Sequence, residues 1–64
     1  MVNVGKNIKR LRQERRITQM ELAESLAVTY QAVSKWERCV NSPDIELIPR
    51  IAKLFDVSID ELFE

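Results

Sequence analysis

Histidine is absent from the chain of 64 residues, and cysteine occurs once, at Cys39. The first absence removes the commonest general base and the commonest metal ligand. The second excludes an internal disulfide and a zinc site built on cysteines, and it agrees with a reducing compartment. Also missing is any apolar run near the ~20 residues that span a bilayer, and the basic N-terminal segment is not followed by the apolar stretch of a signal peptide. These gaps point away from an enzyme and from a membrane protein, and toward a cytoplasmic binding domain that needs no metal or cofactor. With no linker, repeat or low-complexity tract, residues 1–64 are expected to form one domain. A single core of this size leaves only ~5 kcal/mol or less of stability.

What is present is charge and apolar side chains in balance. Apolar residues make up 45% and charged residues 31%, the proportions of a globular chain. Ten basic and ten acidic residues cancel, yet they are unevenly placed. Residues 1–38 hold eight basic and four acidic side chains, whereas residues 39–64 hold two basic and six acidic ones. The two parts therefore carry charges of +4 and −4. Such polarity presents one end to an anionic partner and turns the other away, so it orients an encounter while resisting indiscriminate binding.

Strand-like alternation is absent, and the apolar residues repeat at helical spacing. Val4, Ile8 and Leu11 predict a first helix from about Asn3 to Arg15. Thr18 and Glu21 have the spacing of a capping box, in which a hydroxyl and a carboxylate satisfy orphan donors at a helix start. Leu22, Ala23 and Leu26 then form the inner side of a second helix. After Ala27 and Val28, Thr29 is the expected N-cap of a third helix, with Val33 and Trp36 turned inward. Asp44 is the expected cap of a fourth, whose apolar face runs through Leu47, Ile48, Ile51, Ala52, Leu54 and Phe55. Pro49 lacks a backbone donor and predicts a distorted first turn or a bend there. Ser58 and Glu61 form a second capping box before a short last helix carrying Ile59, Leu62 and Phe63.

The second and third helices, about residues 19–38, have the makings of a helix-turn-helix. Ala23 is the small residue where two helices can approach, and Leu22, Leu26, Val33 and Trp36 supply the packing. Thr29, Tyr30, Gln31, Ser34, Lys35 and Arg38 remain outside on the third helix, the member that fits the major groove. Arg12 and Glu37 sit four residues after Ile8 and Val33, on sides that their apolar neighbours mark as inner. An unpaired charge there is costly, so the two are expected to form a structural salt bridge between the first and third helices.

The stretches IKRLRQERRITQMELAESL, VTYQAVSKWER and SPDIELIPRIAKLFDVSIDELF, in that order, resemble the Cro and phage-repressor type of helix-turn-helix domain, the XRE family. The likeness covers residues 8–63. It implies an all-α, five-helix, lambda-repressor-like domain that binds double-stranded operator DNA, commonly as a homodimer on a palindromic site, and acts as a transcriptional repressor. Carried over position by position, it assigns base reading to Tyr30, Gln31, Ser34 and Lys35. Thr29 falls near the DNA backbone, and Gln19, Arg38 and Asn41 become phosphate contacts. Gln31 can pair with adenine and Lys35 can donate to guanine, which suits those roles. Lys6, Lys9, Arg10, Arg15 and Arg16 are compatible either with direct contact or with the general field alone.

The chain departs from the family at two turns, where Ala27 and Cys39 stand in place of frequent glycines; a left-handed backbone at either costs ~1–2 kcal/mol. Leu62 and Phe63 are expected to offer an apolar surface for pairing, which would set recognition helices ~34 Å apart. Association through a further domain is equally compatible with the sequence. A second reading of the same fold is a protein-interaction module, such as an antitoxin or an anti-repressor partner.

Overall fold

The computed structural model describes residues 3–64; Met1 and Val2 lie outside the described residues. Five helices, and no strands, occur among them: α1 (Val4–Glu14), α2 (Gln19–Leu26), α3 (Tyr30–Glu37), α4 (Leu47–Phe55) and α5 (Ile59–Leu62). Their packed faces meet in one core made by Ile8, Leu22, Val33, Ile51, Phe55 and Leu62, all fully enclosed, with Trp36 beside them. Ile17, Val28 and Val57, the residues that follow three of the helix ends, close its margin.

The starts of α2, α3 and α5 are capped by side chains, and those of α1 and α4 are not. Thr18 Oγ1 accepts the Glu21 backbone N–H at 3.0 Å while Glu21 Oε1 accepts the Thr18 N–H at 2.9 Å, and Ser58 and Glu61 repeat the arrangement before α5. Thr29 Oγ1 accepts the Ala32 N–H at the start of α3. The expectation for Asp44 needs correction, because α4 begins three residues later and Glu46, which precedes it, makes no side-chain cap. The chain enters through a tight turn in which Leu47 N–H bonds Asp44 O at 2.9 Å. Pro49 thereby becomes the third helical residue, where the missing N–H belongs to the unpaired first turn.

Four helix ends use a left-handed residue that is not glycine: Arg16, Ala27, Cys39 and Asp56, with φ of 57–61°. Each is followed by an N–H that reaches five residues back, as in Val28 N–H to Ala23 O at 3.0 Å and Val40 N–H to Lys35 O at 2.9 Å. Ala27 and Cys39 therefore carry the strain anticipated for them, and Arg16 and Asp56 add two more cases. The single glycine is spent elsewhere. A Cβ on Gly5 would lie 1.9 Å from the Trp36 carbonyl oxygen, so the backbones of α1 and α3 touch at that point.

The apolar face of α4 and α5 is narrower than the sequence suggests. Leu54, Ile59 and Phe63 remain 39%, 45% and 43% exposed, while Leu62 is wholly enclosed. Leu62 cannot then be part of a pairing surface, and Phe63 is left with Ile59 for that role. The carbonyl of Leu62 is anchored by buried Asn7 of α1, whose Nδ2 donates to it at 2.8 Å. No helix among the described residues is long and apolar enough to cross a membrane.

Candidate nucleic-acid interface

The helix pair α2 and α3 is held by a buried ionic cluster rather than by apolar contact alone. Glu37, the last residue of α3, has only 3% of its side chain exposed. Arg12 from α1 meets it with two parallel bonds, Nε to Oε2 at 2.7 Å and Nη2 to Oε1 at 3.0 Å. The remaining arm, Nη1, donates to Ile17 O at 2.8 Å in the connection before α2. Hydrogen bonding to the Glu37 carboxylate, opposed by partial burial, raises the Arg12 pKa above its ordinary value. Gln19 completes the cluster by donating Nε2 to Glu37 Oε1 at 3.0 Å. No buried side-chain nitrogen or oxygen among the described residues is left without a partner. That satisfaction is what makes burial of the charge tolerable.

On the opposite side of α3 the side chains face outward. Tyr30, Gln31, Lys35 and Arg38 are exposed and Ser34 is half-buried. This is the side of the helix away from Val33 and Trp36, which are core. Among the described residues, no hydrogen bond or ion pair engages the side chain of Gln31 or Lys35, so their side-chain donors and acceptors are open to a ligand. Arg38 Nε donates to Ser34 Oγ at 3.3 Å, one turn apart, which lays the guanidinium along this face and leaves the Ser34 proton free to donate. The Thr29 hydroxyl accepts the capping N–H, and its own proton is likewise available.

Gln19 and Thr29 stand at the starts of α2 and α3, where backbone donors and the helix dipole favour an anion. At α2 the Glu21 amide is already taken by Thr18, which leaves the Gln19 and Met20 amides as that end's open donors. Asn41 is exposed in the connection after α3. The structure thus puts the eight residues assigned to DNA on the surface at α3, at the start of α2 and just past the end of α3, with Gln19 and Ser34 half-buried.

Two of the uncertain basic residues have internal partners. Arg15 donates Nη2 to Phe55 O and lies 5.4 Å above the Phe55 ring, so it closes the end of α4. Arg10 pairs with Glu14 at 3.2 Å. Lys6, Lys9 and Arg16 are exposed. Sequence reasoning missed Gln19 as a partner of Glu37; a second donor for a carboxylate that Arg12 does not saturate is the signal that points to it. It also missed Gly5 and Asn7, whose partners are 31 and 55 residues away.

Two short packed helices joined by the turn at Ala27–Thr29, the second of them polar on its outer side, make a helix-turn-helix. Comparison with known proteins agrees: the family profile described as helix-turn-helix matches residues 8–62, and the chain belongs to that family. It is of the XRE type, the type its sequence resembles. The chain is 42% identical over 58 residues to the HTH-type transcriptional activator BcrR of Enterococcus faecalis, covering 91% of itself and 28% of BcrR. It is 38% identical over 55 residues to the antitoxin PezA of Streptococcus pneumoniae, covering 86% of itself and 35% of PezA. Among solved structures, the P22 c2 repressor in complex with a synthetic operator superposes with a TM-score of 0.87 at 30% identity, over 95% of this chain and 92% of that one. The chain spans about a quarter to a half of the length of the curated relatives it matches.

Proposed function

We propose that this domain is the DNA-reading part of a sequence-specific transcriptional regulator, a repressor, with α3 in the major groove of double-stranded operator DNA. The observation that carries this reading is the clamped α3 with Gln31, Ser34 and Lys35 displayed on its outer face. Tyr30 offers a hydroxyl and a ring edge beside them. Gln19, Thr29, Arg38 and Asn41 hold the flanking phosphates, and the positive charge of residues 1–38 draws this side of the domain toward DNA. The similarity to the transcriptional activator BcrR supports a regulator, and the similarity to a repressor in complex with a synthetic operator supports the repressor reading. The domain pairs as a homodimer on a palindromic site, in the cytoplasm, and needs no cofactor or small-molecule ligand for base reading. Its chemistry is recognition, with no catalysed reaction.

The similarity to an antitoxin favours a second reading, in which the fold binds a protein instead. Salt separates the two. Phosphate contacts release counterions, so DNA affinity falls steeply as salt rises, whereas an apolar protein interface responds mildly. Selection of bound duplexes from a random pool tests the first reading directly: recovery of a consensus with two-fold symmetry is expected, and recovery of unrelated sequences would remove it.

A further inference from the structure

We infer that Gln19 is a positioning residue that fixes the angle at which α3 meets DNA, an assignment that rests on the reading of α3 as the groove-entering helix. The bond from Gln19 Nε2 to Glu37 Oε1 joins the first residue of α2 to the last residue of α3. These are the two ends farthest along the chain from the connection at Ala27–Thr29, where the helices are hinged. Apolar packing between them, at Ala23, Leu26 and Val33, resists separation but has little directional preference. Arg12 ties Glu37 to α1 and to the Ile17 carbonyl, so neither of its contacts reaches α2. Gln19 is the side chain that closes the open end of the α2–α3 angle.

The leverage is large for so small a contact. An eight-residue helix is ~12 Å long, and a swing of ~10° about the hinge moves its far end by ~2 Å. Hydrogen bonds to base edges tolerate only a few tenths of an ångström around ~2.9 Å. Lys35 and Arg38 lie at that far end, so they are the side chains most sensitive to the angle. The amide is also held in one orientation. Turning it over would set its oxygen against the Glu37 carboxylate, so the donor side stays inward with one N–H used and the second left for an outside acceptor.

The test uses Gln19→Met, which keeps length but removes both donors, and Gln19→Glu, which is isosteric but sets a carboxylate against Glu37. Gln19→Met preserves folding because the Arg12–Glu37 pair remains whole. Each is titrated against the duplex recovered by selection and against a scrambled duplex of equal length, and amide exchange of Trp36, Glu37 and Arg38 is measured in the free protein. Loss of the Gln19 phosphate contact is expected to weaken Gln19→Met binding to the scrambled duplex about as much as Arg38→Ala does, and binding of either variant to the selected duplex is expected to weaken about tenfold beyond that, the worth of a hydrogen bond to a charged group. The specificity ratio therefore falls, and the three amides exchange faster. An equal loss of Gln19→Met binding on both duplexes, or no loss at all, overturns the assignment and leaves the DNA reading standing. A wild-type domain that does not distinguish the two duplexes overturns the DNA reading and this assignment with it.

Discussion

The Trp36 carbonyl oxygen faces the α-carbon of Gly5 so closely that a Cβ there would sit 1.9 Å away. Both partners are helical backbone in different helices, so neither can rotate aside. Alanine at a helix interior normally gains ~1 kcal/mol over glycine. At this position the strain outweighs it, and Gly5→Ala is expected to destabilise the domain by about 2–3 kcal/mol in denaturant unfolding. An unchanged or raised midpoint would mean that α1 and α3 can separate there without cost.

The four left-handed helix ends make the opposite prediction. Ala27→Gly and Cys39→Gly relieve a conformational penalty, so each is expected to stabilise by about 1 kcal/mol. For a domain of this size that raises the melting temperature by about 4–8 °C. Val40, the residue after Cys39, is exposed, unlike its counterparts Ile17, Val28 and Val57. Relief at Cys39 is therefore not offset by loss of an apolar contact that depends on the turn.

Arg12 and Glu37 are separable by a double-mutant cycle. Replacing Arg12 with Met strands a buried carboxylate and is expected to cost about 3–5 kcal/mol, with Gln19 left as its one remaining partner. Replacing both with apolar residues of similar volume is expected to cost much less than the sum of the single changes. Additive losses in chemical denaturation would show that the pair is not energetically coupled.

Acid should weaken α2 at its start. The Glu21 carboxylate accepts the Thr18 backbone N–H and interacts with its hydroxyl, and those bonds hold its pKa below the ordinary value. A carboxylate depressed in the folded state contributes stability that is present above its unfolded pKa and lost as pH falls through the folded one. Thermal stability is thus expected to decline below the ordinary glutamate range, and Glu21→Gln should flatten that part of the curve. A variant whose pH dependence matches wild type in that range would assign the decline to other carboxylates.

Base reading and phosphate holding differ in what they do to specificity. Gln31→Ala or Lys35→Ala is expected to cost about 1–3 kcal/mol on the selected site and to relax preference at one base pair. Arg38→Ala should weaken selected and random duplexes alike and lower the salt slope by about one. Parallel losses for all three substitutions on both duplexes, measured by fluorescence anisotropy, would contradict the division of roles.

Much of the helical pattern was legible because its signals are local. The Thr18–Glu21 and Ser58–Glu61 boxes act within one turn, and the spacing of Val4, Ile8 and Leu11 states which side of α1 is apolar. Asp44 shows the limit of such signals: a good capping residue beside a proline does not start a helix when a tight turn takes up its carbonyl first. Leu54, Ile59 and Phe63 show another, since apolar character marks what can be buried and the neighbouring helices determine how much is.

Five helices, their order and the placement of Gln31, Ser34 and Lys35 away from Val33 and Trp36 can be read along the chain, because periodicity and capping depend on residues within a turn or two of each other. The chain also carries the pairing of Arg12 with Glu37, since a charge on an apolar face demands a partner. That Gln19 joins that pair, that Gly5 admits the Trp36 backbone and that Asn7 holds Leu62 emerges from the packing of the helices. Those contacts depend on distances between helices, which are set by the packing of all five at once and leave no repeating mark along the chain.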